Sequence, residues 1–255
     1  MPIRGSTFEK LAHAHAVILC GITSDFGLPR FFASLQLLHS LSRPEFTMLN
    51  EASANVGGLV LCGGHSKRMG RPKFSLPFGD EVLLQRVCRI LSEVVSPIVV
   101  VAAADQGLPD LPDNVTIVRD EYESLGPLAG IATGLDALRD RVDAAFVTSC
   151  DAPLLEPAFV QRLIELLGDH DVAAPTDGQY DHVLAAVYRT TLADHARRLL
   201  ADERRRPLFL LEESRSLKVH VDELRNVDPN LASLRNVNTP EDYEEVLKLA
   251  GLKSS

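Results

Sequence analysis

The chain has 255 residues, of which 45% are hydrophobic and 24% are charged, and its formal net charge is -9. This composition is typical of a globular protein, and the negative charge argues against a general nucleic-acid binder, whose footprint would be a basic stripe. No apolar stretch reaches the roughly 18 residues expected of a membrane span. The four cysteines are scattered and form no CxxC pair, which argues against a structural zinc site and predicts a reducing, cytoplasmic location.

Residues 1–55 show no alternation of strands and helices, and we expect them to be an N-terminal extension. Two interpretations stay open: a functional arm, or a start assigned upstream of the true one. We favour a dispensable or misassigned extension, because Met48 begins a normal short lead-in to the first regular strand. The functional domain is then expected to span residues 56–255.

From Val56 onwards, short β-branched runs alternate with helical stretches. The predicted strands are Gly58–Leu61, Pro97–Val101, Val115–Val118, Ala144–Ser149, Asp171–Ala174, His182–Tyr188 and Leu217–Val221. The predicted helices are Val82–Val95, Leu128–Leu138, Pro157–Leu167, Thr191–Ala201 and Pro240–Leu249. This alternation predicts an α/β fold with a mostly parallel sheet, in which ligands bind at the carboxyl ends of the strands.

The stretch LVLCGGHSKRMGRPK, from Leu59 to Lys73, follows the first regular strand. Gly63 and Gly64 carry no Cβ, so a phosphate can approach their backbone N–H groups, and Arg68 and Lys73 can neutralise its charge. The stretch matches neither the P-loop pattern nor the dinucleotide-binding pattern G-x-G-x-x-G. It is therefore a phosphate loop of another type or an ordinary turn.

Asp151 follows the apolar strand that ends at Ser149. A carboxylate in this position is suited to Mg²⁺, which binds through one or two carboxylates together with phosphates and water. The alternative is a turn that simply ends the strand, because an aspartate is common before a proline.

Three further stretches carry candidate residues. LGPLAG, from Leu125 to Gly130, opens a predicted helix, whose N-terminus favours anions. NVNTPED, from Asn236 to Asp242, contains a capping box that explains Thr239 but not the two asparagines. DERRRPLF, from Asp202 to Phe209, places three arginines near a helix end, where they either favour the helix dipole or bind an anionic substrate.

The pattern L-x-G-G-x-S-x-R-M-G-x-x-K resembles the signature of the molybdenum cofactor guanylyltransferases, within the wider nucleotidyltransferase family. Its residues in this chain are Leu61, Gly63, Gly64, Ser66, Arg68, Met69, Gly70 and Lys73. The resemblance covers about Val56 to Leu249 and implies a three-layer, Rossmann-like nucleotidyltransferase fold with a mostly parallel central sheet.

The resemblance also implies roles for individual residues. The catalytic set comprises Arg68, Lys73, Asp151, Asn236 and Asn238, with Asp151 as the Mg²⁺ ligand. The nucleotide contacts comprise the backbone of Leu61, Cys62, Gly63 and Gly64, together with Lys73, Asp120, Gly126, Gly130 and Asp151. The pterin substrate is expected at Arg204, Arg205 and His182. Two positions depart from the family: Val183 replaces a frequent proline, and Ala102 replaces a nucleotide-contacting asparagine.

The implied reaction transfers GMP from GTP to molybdopterin-bound molybdenum and releases pyrophosphate. One alternative is a cytidylyltransferase or another small-phosphate nucleotidyltransferase of the same fold. A second is a non-catalytic GTP-binding partner of molybdoenzymes. The expected partners are GTP, the molybdopterin cofactor, molybdenum-insertion proteins and apo-molybdoenzymes, with neither nucleic acid nor a membrane.

Overall fold

The computed structural model of the chain describes residues 55–63, 71–120 and 125–253. The predicted N-terminal extension lies outside these residues, apart from Asn55. In the described part, seven strands form one sheet with the order β5-β4-β1-β6-β8-β7-β9, and β2 and β3 form a small hairpin. The strands are β1 (Val56–Leu61), β2 (Pro77–Phe78), β3 (Glu81–Val82), β4 (Ile98–Ala102), β5 (Val115–Arg119), β6 (Ala144–Ser149), β7 (Val172–Thr176), β8 (Ala185–Arg189) and β9 (Ser216–His220).

Helices cover both faces of the sheet, which gives the predicted three-layer arrangement. They are α1 (Leu83–Ser92), α2 (Pro127–Leu138), α3 (Pro157–Leu167), α4 (Ala193–Ala201), α5 (Pro207–Glu212) and α6 (Pro240–Leu249). Residues of α1 and α3 share one buried core, and residues of α2, α4 and α5 share the other. Strand β1 is buried along its whole length, as expected for a strand covered on both faces.

Helix α2 packs closely on the central strand because it has a glycine where the two meet. A Cβ at Gly134 would lie 2.1 Å from Cδ1 of Leu59, which is fully buried in β1. The pair lies in the core beneath the helix. The small residue therefore sets how near α2 approaches the sheet.

The sheet brings three strand ends together. Strand β1 pairs in parallel with β4 on one side and with β6 on the other, so that Leu61 lies opposite both Val101 and Ser149. The loops that follow these strands consequently meet at one edge of the sheet, where ligands bind in open α/β folds. Strand β8 runs antiparallel to both of its neighbours, so the sheet is mostly but not wholly parallel.

The predicted strand His182–Tyr188 was wrong at its start, because β8 begins at Ala185 and the residues before it form a turn. Helix α5 and the hairpin were not predicted, since each is short. The predicted helix Val82–Val95 is shorter in the structure, ending at Ser92. Within the residues described, no helix has both the length and the apolar character needed to cross a lipid bilayer.

Candidate active site

A lysine, an aspartate and an asparagine from distant parts of the chain meet at the carboxyl edge of the sheet. The ammonium of Lys73 donates to Oδ2 of Asp151 at 2.6 Å and to Oδ1 of Asn238 at 2.8 Å. The side chains of Lys73 and Asp151 are only 19% and 12% exposed. Three of the predicted catalytic residues therefore form one cluster, which we call the Lys73 cluster.

Asp151 is fixed by its own strand and by the segment that carries Asn238. The hydroxyl of Ser149 donates to Oδ1 of Asp151. The N–H of Val237 donates to the carbonyl of Asp151 at 2.9 Å. Both carboxylate oxygens thus have partners, and a backbone bond fixes the 236–238 segment against the end of β6.

The N-terminus of α6 orients Asn238. The carboxylate of Asp242 accepts the backbone N–H groups of Asn238, at 2.9 Å, and of Thr239, at 2.8 Å. The hydroxyl of Thr239 accepts the N–H of Asp242 in return, which confirms the predicted capping box. The bond from Asn238 is the main cause of a lowered pKa for Asp242; bonds from Thr239 and the charge of Lys73 assist, and burial opposes them.

The loop after β1 is described only as far as Gly63, so the predictions for Gly64 and Arg68 lie outside the described residues. The N–H of Cys62 donates to Val101 and the carbonyl of Leu61 accepts from Cys150, so the sheet already uses these two backbone groups. Gly63 is exposed, and a Cβ there would meet nothing within 4 Å. The backbone at Gly63 is therefore accessible to a ligand.

The two glycines predicted at α2 lie in different environments. Gly126 is the N-cap, with a φ of 86°, and a Cβ there would approach the carbonyl of Arg205 to 3.7 Å. Gly130 is buried within the helix, where a Cβ would lie 3.0 Å from the side chain of Leu61. Its small size thus serves the packing of α2 on β1. Asp120 is half-buried just after β5, and its N–H donates to Ala102.

A cavity of about 450 Å³ adjoins the 236–238 segment. Its wall is formed by the start of α2, the turn before β8, the loop between α4 and α5, and the segment that includes Asn236. Both Arg205 and Arg206 line it, and neither forms an ion pair with another described residue. The cavity is therefore suited to an anionic ligand, and Asn236 joins its wall to the segment that carries Asn238.

Arg204 is placed differently from the arginines that follow it. Its guanidinium donates to Glu213 and lies 4.3 Å above the centre of the Phe209 ring. It is not among the described residues that line the cavity. Of the two arginines predicted for the substrate, the structure brings Arg205 to the cavity and uses Arg204 to hold the end of α5.

His182 lines the cavity. Val183, which stands where the family often has a proline, makes a backbone bond that favours this departure. The N–H of Val183 donates to the carbonyl of Asp181 at 3.0 Å, a bond that a proline could not make. The carbonyl of Val183 accepts the hydroxyl of the buried Tyr188 at 2.8 Å. Burial lowers the pKa of His182, with the nearby carboxylates opposing it, so the imidazole is neutral at neutral pH.

Sequence reasoning missed Arg206 and the two residues before His182, which are Tyr180 and Asp181; all three line the cavity. Arg206 stood within the run of three arginines, but which of them faces a ligand depends on where α5 begins. The Asp-Gly pair at 177–178 was an available signal for a turn that would present the residues after it.

The residues at the end of β6 fit a divalent metal. Asp151 offers a hard carboxylate, with the amide oxygen of Asn238 bonded to the same ammonium, and Mg²⁺ usually combines such protein ligands with substrate phosphates and water. Among the described residues, no group of three or more His, Cys, Asp or Glu could hold a metal by itself. A metal at this place would therefore depend on the phosphates of a bound nucleotide.

Residues 58–218 match the MobA-like NTP transferase domain. A probable molybdenum cofactor guanylyltransferase of Mycobacterium avium (strain 104) is 37% identical over 195 residues, which cover 74% of this chain and 94% of that protein. A probable molybdenum cofactor guanylyltransferase of Mycobacterium tuberculosis (strain ATCC 25618 / H37Rv) is 39% identical over 189 residues, covering 72% and 89%.

The crystal structure of molybdopterin-guanine dinucleotide biosynthesis protein A from Archaeoglobus fulgidus is similar in fold, with a TM-score of 0.63 and 25% identity. The match covers 77% of this chain and 98% of that one. These findings confirm both the expected fold and the resemblance inferred from the sequence motifs. The chain therefore belongs to the MobA-like NTP transferase domain family and is a nucleotidyltransferase.

Proposed function

We propose that this protein transfers GMP from GTP to molybdopterin-bound molybdenum cofactor, forming the guanine dinucleotide cofactor and pyrophosphate. One observation carries the proposal: Asn236, two residues before Asn238 of the Lys73 cluster, lines a cavity whose wall also contains Arg205 and Arg206, neither of them ion-paired to another described residue. A nucleotidyl transfer needs cationic charge on a triphosphate and a second anionic site for the acceptor, and this arrangement offers both. The names of the relatives support the choice of nucleotide and acceptor.

In the proposed reaction, an oxygen of the acceptor's terminal phosphate attacks the α-phosphorus of GTP. A phosphorus–oxygen bond forms as the bond to pyrophosphate breaks, and no covalent intermediate with the protein is needed. Lys73 neutralises phosphate charge, and the capped segment holds Asn236 and Asn238 at the junction between the Lys73 cluster and the cavity. Positioning and charge stabilisation then lower the barrier. A Mg²⁺ ion at Asp151 would supply further charge neutralisation on the phosphates.

The other proposed contacts follow the same division of the site. Gly63 and Gly64 with Arg68, and Asp120 and Gly126, are proposed on the nucleotide side. Arg205, joined by Arg206, and the neutral His182 are proposed on the acceptor side. The product would pass to molybdenum-insertion proteins or apo-molybdoenzymes. The free, buried thiols of Cys62, Cys88 and Cys150 support a reducing, cytoplasmic location.

Pyrophosphate release from the full chain tests the proposal, with GTP, CTP and ATP each offered together with molybdopterin-bound molybdenum and Mg²⁺. Of the three nucleotides, we expect only GTP to give pyrophosphate release. Release with CTP but not GTP would establish the cytidylyltransferase alternative, and GTP binding without release would establish the non-catalytic one.

Two matched variants separate catalysis from folding. Asp151→Asn, at the carboxyl end of β6, should lower turnover at least about a hundredfold. Asp143→Asn, just before the amino end of the same strand, should leave turnover within about twofold of the wild type. Activity that survives Asp151→Asn would contradict the proposed metal ligand.

A further inference from the structure

Hydrogen bonds fix the backbone of the turn between β7 and β8, which lies at the cavity. The carboxylate of Asp177 accepts the N–H groups of Gln179, at 2.9 Å, and Tyr180, at 2.7 Å. The carbonyl of Tyr180 accepts the N–H of Asp177 at 3.2 Å and the hydroxyl of Thr176 at 3.3 Å. Gly178 takes a φ of 88°, which the tight turn requires. Tyr180 is therefore bonded through both its N–H and its carbonyl.

Among the described residues, Tyr180 is the most exposed of the large hydrophobic side chains. Tyr180 is 65% exposed and lines the cavity. It meets His182 edge to face, with ring centres 5.3 Å apart and an angle of 75° between the planes. An exposed aromatic ring on a fixed turn offers a face on which a planar heterocycle can stack at little cost in conformational entropy.

Asp181 adds a carboxylate to the same wall, where its side chain is only 13% exposed. The ammonium of Lys218, from β9, donates to its Oδ2 at 2.8 Å. Burial alone would raise its pKa, but hydrogen bonds from Lys218 and Thr176 outweigh burial and lower it. The carboxylate is therefore ionised at neutral pH. Each of its oxygens can accept two hydrogen bonds, so capacity remains for N–H donors of a ligand.

The cavity thus combines two kinds of wall. The turn supplies an aromatic face and a carboxylate, whereas the loop between α4 and α5 supplies Arg205 and Arg206. Two such walls fit a ligand that joins a planar, N–H-bearing heterocycle to an anionic group. The pterin of the proposed acceptor has this chemistry, since its 2-amino-4-oxo edge presents two adjacent N–H donors and its side chain bears a phosphate.

We propose that Tyr180 and Asp181 recognise the pterin ring of the acceptor, Tyr180 by stacking on it and Asp181 by accepting N–H bonds from its 2-amino-4-oxo edge. The identity of the heterocycle rests on the proposed function. The inference assigns ring specificity to the turn between β7 and β8 and leaves phosphate binding to the arginines.

Fluorescence titration of the full chain without nucleotide tests the inference directly. The probes are pterin-6-carboxylate and lumazine-6-carboxylate, in which an oxo group replaces the 2-amino group. The wild type should bind the pterin at least about tenfold more tightly, because the carboxylate faces an oxygen in the lumazine. Equal affinity for the two probes, or no binding of either, would overturn the inference.

Variants at the turn assign the two contributions. Tyr180→Ala should lower the affinity for both probes by about tenfold, whereas Tyr180→Phe should retain wild-type affinity because the ring remains. Asp181→Asn should weaken the pterin and abolish the preference over lumazine. Unchanged binding by Tyr180→Ala, or a retained preference in Asp181→Asn, would contradict the assigned roles.

Lys218→Met provides the matched control, since it breaks the same ion pair but keeps the carboxylate. It should keep the preference for the pterin; loss of the preference there would assign the effect to the ion pair and overturn the role of Asp181. Because these titrations need no turnover, they separate two failures. Pterin binding without GMP transfer would contradict only the proposed function, and GMP transfer without ring discrimination would contradict only this inference.

Discussion

The ammonium of Lys73 lies 2.6 Å from Oδ2 of Asp151, although 78 residues separate the two in the chain. Their ion pair is largely shielded from solvent. Removing either partner from such a pair leaves an uncompensated charge in a poorly hydrated place, which costs more than the loss of an exposed ion pair. The same two charged side chains are therefore expected to matter both for the stability of the site and for the proposed reaction.

Lys73→Met should lower kcat by about a hundredfold or more, because it removes charge stabilisation while keeping most of the apolar stem. Steady-state pyrophosphate release measures kcat, and urea unfolding measures the stability of the variant. Lys248→Met, on the exposed last turn of α6, is the control and should leave kcat unchanged. A kcat for Lys73→Met within about threefold of the wild type would contradict the proposed role of the ammonium.

The sequence predicted the bounds of β6, α3 and α6 to the residue. Strand β6 is a continuous apolar run, and both helices begin with a proline that marks the first turn. The start of β8 was predicted too early because Val183 and Leu184 are apolar too, and they pack on the core from the turn. The pattern of apolar residues alone does not distinguish a buried strand residue from a turn residue that packs on the core.

The candidate site was predictable as a set of residues but not as a geometry. Motif spacing singled out Lys73, Asp151 and Asn238, but their meeting depends on the strand order that brings β6 beside β1 and on the bond from Val237 to Asp151. The wall of the cavity was less accessible to sequence reasoning, since the directions of side chains in a turn or a short loop follow no period.

Gly134→Ala should destabilise the fold by about 1–3 kcal/mol, because the added Cβ would overlap the buried side chain of Leu59. Urea unfolding measures the change. Gly107→Ala is the matched control: a Cβ there meets nothing within 4 Å, and we expect a change within about 0.5 kcal/mol. In a helix, alanine is about 1 kcal/mol more favourable than glycine. A Gly134→Ala variant more stable than the wild type would therefore show that helix propensity outweighs the overlap.

Asp242→Asn should destabilise the protein by about 1 kcal/mol at pH 7, because the carboxylate caps α6 and holds Asn238. The pKa of Asp242 is lowered on folding, so its contribution is present above the unfolded-state pKa of about 3.9 and is lost as the pH falls through the lower, folded-state value. The difference from the wild type should therefore narrow below about pH 4.

Urea unfolding at pH 7 and at about pH 3 measures this narrowing. Glu241→Gln serves as the control for Asp242→Asn, since Glu241 is exposed in the same first turn and interacts with the helix dipole. Its effect at pH 7 should be only a few tenths of a kcal/mol. A difference between Asp242→Asn and the wild type that stays constant with pH would contradict the assigned role of the carboxylate.

The three consecutive arginines should separate into two functions. Arg205→Met and Arg206→Met should each raise the KM for the acceptor by about tenfold and leave the KM for GTP unchanged, because both line the cavity and hold an anionic group in the proposed function. Arg204→Met should leave the acceptor KM near the wild-type value and lower stability by up to about 1 kcal/mol, since its guanidinium contacts Glu213 and Phe209. Steady-state kinetics with each substrate varied in turn, and urea unfolding of all three variants, test this division. If only Arg204→Met raised the acceptor KM, this division would be wrong, and Arg204 would be the arginine that contacts the acceptor.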